Sequence, residues 1–355
     1  MGWRLVTCLA LLVVLTCPAQ AAEAPAKTSD DFDIQDLNDY PRKRDIQYPD
    51  WFKLSFLDLP EDLGEAVDAG KKGIIVYFGQ KHCAYCEALM EVNFAKEDIV
   101  HYTREHFDVI PINIWGSRTV TDMQGRQLTE REFAVRENTN FTPSLIFYDS
   151  EGNQALRLRG YYKPYRFRAA LEYVVDGYYR KESLRDYLAR ADPPPKFELG
   201  DLNDRAFFED PPYALDRSRF EADRPLVVFF EQHNCHACDI LHTDTLWDAP
   251  TRQLLEEFQV VQLDMWSDAP VLTPDGERMT AEEWAQDLDI FYAPTLVFFD
   301  QQGEEIIRVE SVVRMYRLRG VLEYVAEKGY EKAPTFQRWR EDYADAGEDS
   351  GDEAG

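Results

Sequence analysis

The chain has 355 residues, enough for about two domains at the usual ~100–200 residues each. With 66 acidic against 39 basic residues its formal charge is -27, which argues against nucleic acid as a partner, because phosphates are met by Lys and Arg. A charge of that size speaks to solubility rather than to chemistry.

Residues 1–21 carry Arg4, an apolar core from Leu5 to Leu15 and a small-residue end at Ala19-Gln20-Ala21. That is the pattern of a secretory signal, with a core too short for a membrane span of ~20 residues. The mature chain is therefore expected to be exported, periplasmic where the cell has an outer membrane, and not membrane-spanning once the signal is cleaved. Residues 22–45 are polar and acidic and are expected to form a flexible lead-in to a first domain over 46–188.

Within that domain, Leu63, Ala66 and Val67 fit an amphipathic helix over 59–70, and the apolar run 74–78 reads as a strand buried on both faces. The strand leads straight into Cys83-Ala84-Tyr85-Cys86, after which Leu89, Met90 and Phe94 recur at helical spacing. Cys83 thus falls at the start of a helix, where unpaired N–H groups and the positive dipole end favour a thiolate. A thiolate attacks disulfides, and Cys86 one turn later is placed to resolve the mixed disulfide. Of the six cysteines, Cys8 and Cys17 leave with the signal, and the four that remain form two C-x-x-C pairs. None is left for a structural framework, and a bridge across so short a loop staples an unfolded chain least.

Residues 99–106 read as helix and 107–115 as an alternating strand. Thr129 would cap a further helix with Glu130 and Glu132 in its first turn. Phe141-Thr142-Pro143 then opens a strand to Asp149, the turn 150–153 leads into a hairpin partner, and 167–178 closes the unit as helix. The second half repeats the first. Trp115, Gly125, Thr129, Pro143, Asp149 and Gly152 each have an identical residue 151 positions later, and Leu171-Glu172-Tyr173-Val174 recurs as Leu322-Glu323-Tyr324-Val325. A repeat of domain length means two copies of one fold. The triple proline within 189–204 marks a linker, 205–338 a second domain with its own Cys235-His236-Ala237-Cys238 and Ala293-Pro294, and 339–355 an acidic tail without a core.

Strand, C-x-x-C, helix, strand, helix, Thr-Pro, strand, hairpin, strand and helix is the element order of the thioredoxin family. The chain resembles that family, most closely its exported SoxW-type branch. The residues that carry the match are Tyr77-Phe78, the first C-x-x-C, VTDMQGRQLT at 120–129, Phe141-Thr142-Pro143, Phe147-Tyr148-Asp149 and RLRGY at 157–161. The resemblance implies an α/β fold of two tandem thioredoxin-like domains, each a central mixed sheet flanked by helices. It also implies cis prolines at Pro143 and Pro294, with Thr142 and Ala293 lending their backbone to a bound substrate chain. Two departures stand out. Ala84-Tyr85 replaces the usual Gly-Pro, and Tyr77 and Phe229 stand where the family keeps a buried acid.

The leading reading is a thiol–disulfide oxidoreductase in which Cys83 and Cys235 are nucleophiles and Cys86 and Cys238 resolve. It needs no cofactor and takes protein thiols or disulfides as partners. Resemblance adds the direction of a reductase and a membrane thiol transporter as electron donor. His82, Tyr85 and His236 flank the thiols and are candidates for tuning them. A protonated His236 beside Cys235 would favour the thiolate and make the second site the more oxidising. One competing class is copper or zinc at the second site, where His233, Cys235, His236, Cys238 and His242 crowd together, against the plain reading of His233 and His242 as exposed helix-flanking residues. Another is a partner-binding module with one active site.

Overall fold

A computed structural model describes residues 33–191, 202–203 and 205–342. In it β1 (Gly73–Gly79) is buried at every position, as its unbroken apolar run requires. The strand's alternation sorts its residues between two helix layers. Ile74, Val76 and Phe78 meet α1 (Leu59–Asp68), while Ile75 and Tyr77 face the opposite side, where α2 (Ala84–Ala88) and α3 (Glu97–His106) lie. β2 (Phe107–Asn113) pairs with β1 in parallel. A small hairpin of β3 (Thr119–Thr121) and β4 (Gln127–Thr129) precedes α4 (Glu130–Arg136), whose Thr129 and Glu132 form the capping box expected from the sequence. β5 (Ser144–Asp149) runs antiparallel to β1, β6 (Gln154–Arg159) closes the sheet in the order β2–β1–β5–β6, and α5 (Pro164–Val175) and α6 (Leu184–Ala191) follow.

The second half rebuilds the same unit. It runs through β7 (Tyr213–Ala214), β8 (Leu226–Glu231), α7 (His236–Thr243), α8 (Ala249–Leu255), β9 (Gln259–Asp264), β10 (Pro270–Leu272) and β11 (Arg278–Thr280). It ends with α9 (Ala281–Asp287), β12 (Thr295–Phe299), β13 (Glu305–Val309), α10 (Met315–Ala326) and α11 (Gly329–Lys332). Its sheet order, β9–β8–β12–β13, matches that of the first half.

The halves meet across a local two-fold axis. Arg159 pairs with Glu310 at 2.9 Å and the N–H of Val312 donates to the carbonyl of Tyr161 at 3.1 Å. Each of these residues meets its own counterpart in the repeat, which is the mark of an axis between two copies. Phe141 is buried in the second half's core, and its counterpart Tyr292 is buried in the first half's. Arg185 of α6 adds two bonds, to the carbonyls of Ile290 (2.7 Å) and Met265 (2.9 Å).

This packing corrects three boundaries drawn from the sequence. The lead-in is not free from residue 33 onward, because Ile34, Leu37 and Asp39 are buried. The linker begins later than 189, since α6 reaches Ala191. The tail begins later than 339, since Trp339 is buried in a last helix over 336–342. Residues 1–32 and 343–355, with the expected signal and most of the tail, lie outside the described residues.

Asp122, at the turn between β3 and β4, accepts from the N–H groups of Gln124 (2.8 Å) and Arg126 (2.9 Å) and from the guanidinia of Arg126 and Arg136. Burial works to raise its carboxyl, but these donors outweigh it and hold it at about 2, below the ordinary 3.8. A depressed folded value contributes stability that is full above about pH 4 and is lost as pH falls towards about 2. Asp122→Asn is expected to lower Tm by a few degrees near neutral pH and to change it little near pH ~2. Thermal melts showing the same loss at both ends would contradict that assignment.

Candidate active sites

Each cysteine pair sits where a buried strand gives way to a helix. Cys83 and Cys235 are the N-caps of α2 and α7, both with extended backbone, and each Sγ accepts the N–H of the residue three further on, at 3.0 Å from Cys86 and 3.1 Å from Cys238. The first sulfur of each pair thus occupies the place of a capping oxygen. On reduction that N–H and the helix end hold a thiolate there. Both pairs are disulfide-bonded. The Thr142–Pro143 and Ala293–Pro294 bonds are cis.

At the first site Thr142 stands beside Cys83, its Oγ1 3.3 Å from Cys83 Sγ. Gln80 donates to that hydroxyl at 2.9 Å and accepts from the Trp115 indole at 2.7 Å. The second copy repeats the last link, Trp266 donating to Gln232 at 3.0 Å. Neither glutamine is among the residues the sequence singled out. The available signal was a Gln three positions before each first cysteine, together with a tryptophan kept through the repeat.

The three residues expected to tune the thiols lie in different settings. Tyr85 is buried, and burial raises its phenol well above the ordinary value, so it stays neutral. Its hydroxyl donates to Asp39 at 2.9 Å, and its ring carries the guanidinium of Arg317, from the second half, at 3.5 Å. His82 is exposed in a left-handed backbone conformation, 4.0 Å from Asp45. His236 is exposed at the first position of α7, with its Nε2 3.0 Å from Asp33. Partial burial raises the Asp33 carboxyl, but the hydrogen bonds from His236 and the Gln35 N–H bring it below its usual range. A charge on His236 is therefore matched by a carboxylate and is not left to the Cys235 thiolate alone.

His242 and Glu231 correct a second expectation. His242 is fully buried rather than helix-flanking, its Nε2 2.8 Å from Glu231 Oε1, and Gln262 donates to the other oxygen at 3.0 Å. Glu231 lies two residues beyond Phe229 on the same face of β8, so the second copy keeps a buried acid after all, displaced along the strand. His242 lies one helical turn beyond Cys238. His233 is half-buried against Asp264 at 3.0 Å. Among the described residues no group of three or more His, Cys, Asp or Glu is placed to hold a metal ion.

A model of the thioredoxin-like domain matches the chain twice, over residues 59–175 and 214–326, together more than half its length. No curated protein matches. Among solved structures, a thioredoxin-fold protein from Helicobacter pylori is 26% identical over 34% of this chain and 84% of its own, with a TM-score of 0.29. A thioredoxin from Thermus thermophilus is 23% identical over 33% and 83%, with a TM-score of 0.27. A DsbH oxidoreductase is 16% identical over 37% and 92%, with a TM-score of 0.26.

Proposed function

The chain belongs to the thioredoxin-like domain family in both of its halves, and from that premise we propose that it is an exported thiol–disulfide oxidoreductase with two active sites, working as a reductase of SoxW type. One observation carries the chemistry: each pair's first sulfur takes the helix-capping position and receives the N–H of the residue that bears the second sulfur. Reduced, Cys83 or Cys235 attacks a substrate disulfide and expels one thiolate. Cys86 or Cys238 then attacks the first cysteine's sulfur and expels the other. The substrate gains two electrons and the protein pair is left oxidised. The signal-like residues 1–21 support export to the periplasm. Such a reductase needs electrons from outside, and a membrane thiol transporter is the proposed donor. A metal site at Cys235 is not favoured, since each nearby histidine is held by its own carboxylate.

The test uses chains that lack the resolving thiol. Cys86→Ser and Cys238→Ser, reduced and offered glutathione disulfide, are each expected to accumulate one glutathione adduct, on Cys83 and Cys235 respectively. Wild-type turnover without an adduct in either variant, read by peptide mass spectrometry, would remove these cysteines from the nucleophile role.

A further inference from the structure

The two sites carry the same chemistry and are covered very differently. At the second site His236 is exposed, Ala237 is half-buried against the first half's core, and Ala293 before the proline is half-buried. At the first, Ala84 and Tyr85 are each 3% exposed and Thr142 is 1% exposed. The second half of the chain supplies part of that cover, beside Asp39 and Gln80 of the first.

The cover centres on Arg317. Its guanidinium lies over the Tyr85 ring, 3.5 Å from the centroid, and its Nη2 donates to the Thr142 carbonyl at 2.8 Å, the backbone group from which a substrate chain would be held. The arginine is itself tied down, since its N–H donates to Asp39 (2.9 Å), the same carboxylate that takes the Tyr85 hydroxyl. Beside it the helix over 336–342 closes in, with Gln337 bonded to Gln80 (3.1 Å) and Arg338 stacked 3.7 Å from the Trp115 ring.

The sequence explains why the arginine cover forms at only one site, although the first sulfurs are equally buried, Cys83 7% and Cys235 8% exposed. Across the two-fold, the counterpart of Arg317 is Arg166, so an arginine is available to each site. Tyr85, however, is matched by Ala237, which offers no ring for a guanidinium to stack on. Among the described residues no side chain of the first half is bonded to the Ala293 carbonyl. What remains open at the first site is a cavity of about 600 Å³, lined by Cys83, His82, Trp115, Tyr316, Gln337 and Arg340. That space suits a molecule of a few residues' bulk, and not an extended strand, which needs the Thr142 backbone and a clear run on either side.

We propose that the second half, through Arg317, closes the Cys83–Cys86 site to polypeptides and makes it a site for small-molecule disulfides, while the Cys235–Cys238 site takes polypeptide disulfides. This rests on the redox reading above. At the first site the Cys83 thiolate bonds to one sulfur of the small disulfide and its partner leaves as a thiolate. Cys86 then displaces the second thiolate, so two electrons pass to the ligand and the pair closes.

The experiment uses two full-length single-site chains, Cys235→Ser/Cys238→Ser and Cys83→Ser/Cys86→Ser. Each is reduced, freed of reductant, and mixed with excess glutathione disulfide or insulin. Acid quenching and alkylation then give the rate at which the remaining pair is oxidised. The ratio of the insulin rate to the glutathione disulfide rate is expected to be at least about tenfold lower for the first site, the effect of losing a hydrogen bond or two to the substrate chain. Adding Arg317→Ala to the first-site chain is expected to recover at least about threefold of that ratio. Equal ratios in the two chains overturn the proposal, as does a first-site chain that glutathione disulfide fails to oxidise. The comparison of the two chains requires no change at Arg317, so it stands even if that variant does not fold. If neither chain is oxidised by either probe, the redox reading itself fails, an outcome distinct from equal ratios.

Discussion

Gly160→Val is expected to destabilise the protein by about 3 kcal/mol, enough to shift the folding equilibrium by roughly a hundredfold, from two costs in one substitution. Gly160 has φ of +93°, where a β-branched residue is strained. A Cβ there would also stand 2.0 Å from Ser311 Oγ, at the centre of the contact between the halves. The damage should reach the first active site, because the Gly160 N–H donates to the Pro143 carbonyl at 2.7 Å. Calorimetry separates the two costs: Ser311→Gly in the same chain relieves the clash but not the backbone strain, so part of the lost Tm should return. A Gly160→Val chain that melts like wild type would mean that the halves do not pack at the Gly160–Ser311 contact.

Glu231→Ala is expected to cost about 3 to 5 kcal/mol, the range for removing one partner of a buried pair. The side chain is fully buried, and its loss leaves His242, equally buried, without a polar partner for Nε2, while His242 Nδ1 already has none among the described residues. Gln262 loses an acceptor as well. Glu231→Gln keeps an oxygen toward the imidazole and should cost nearer 1 kcal/mol. Chemical denaturation of both variants, with m unchanged, measures the difference directly. Equal losses for Ala and Gln would point to packing rather than to the hydrogen bonds.

These sites show how far the sequence alone reaches. Local chemistry was readable: the fully apolar β1, the cysteines at helix starts and the Thr129 box follow from short-range patterns, and the tandem repeat from identities 151 positions apart. What the patterns could not say was how one copy lies on the other. Ile34 and Leu37 read as mobile because acidic neighbours surround them, and their burial depends on surfaces far away in the chain. Nothing near Arg317 in sequence announces the Tyr85 ring. His242 read as an exposed flank, and nothing in the sequence marked Glu231 as its partner. Only the fold brings the two together, from opposite ends of the C-x-x-C segment.

The Arg159–Glu310 contact also says something about descent. In a dimer of identical chains, residues on the axis meet copies of themselves. A free first half arranged in this way would set Arg159 against Arg159, and a free second half would set Glu310 against Glu310 and crowd two Ser311 side chains into room for one. The observed pairs, arginine with glutamate and glycine with serine, satisfy the contact only because the two partners were free to diverge. Covalent fusion lifts the demand of self-complementarity that a symmetric dimer imposes, and the same freedom let tyrosine stand in one copy where alanine stands in the other. Expressed separately, each half should meet the other more readily than itself.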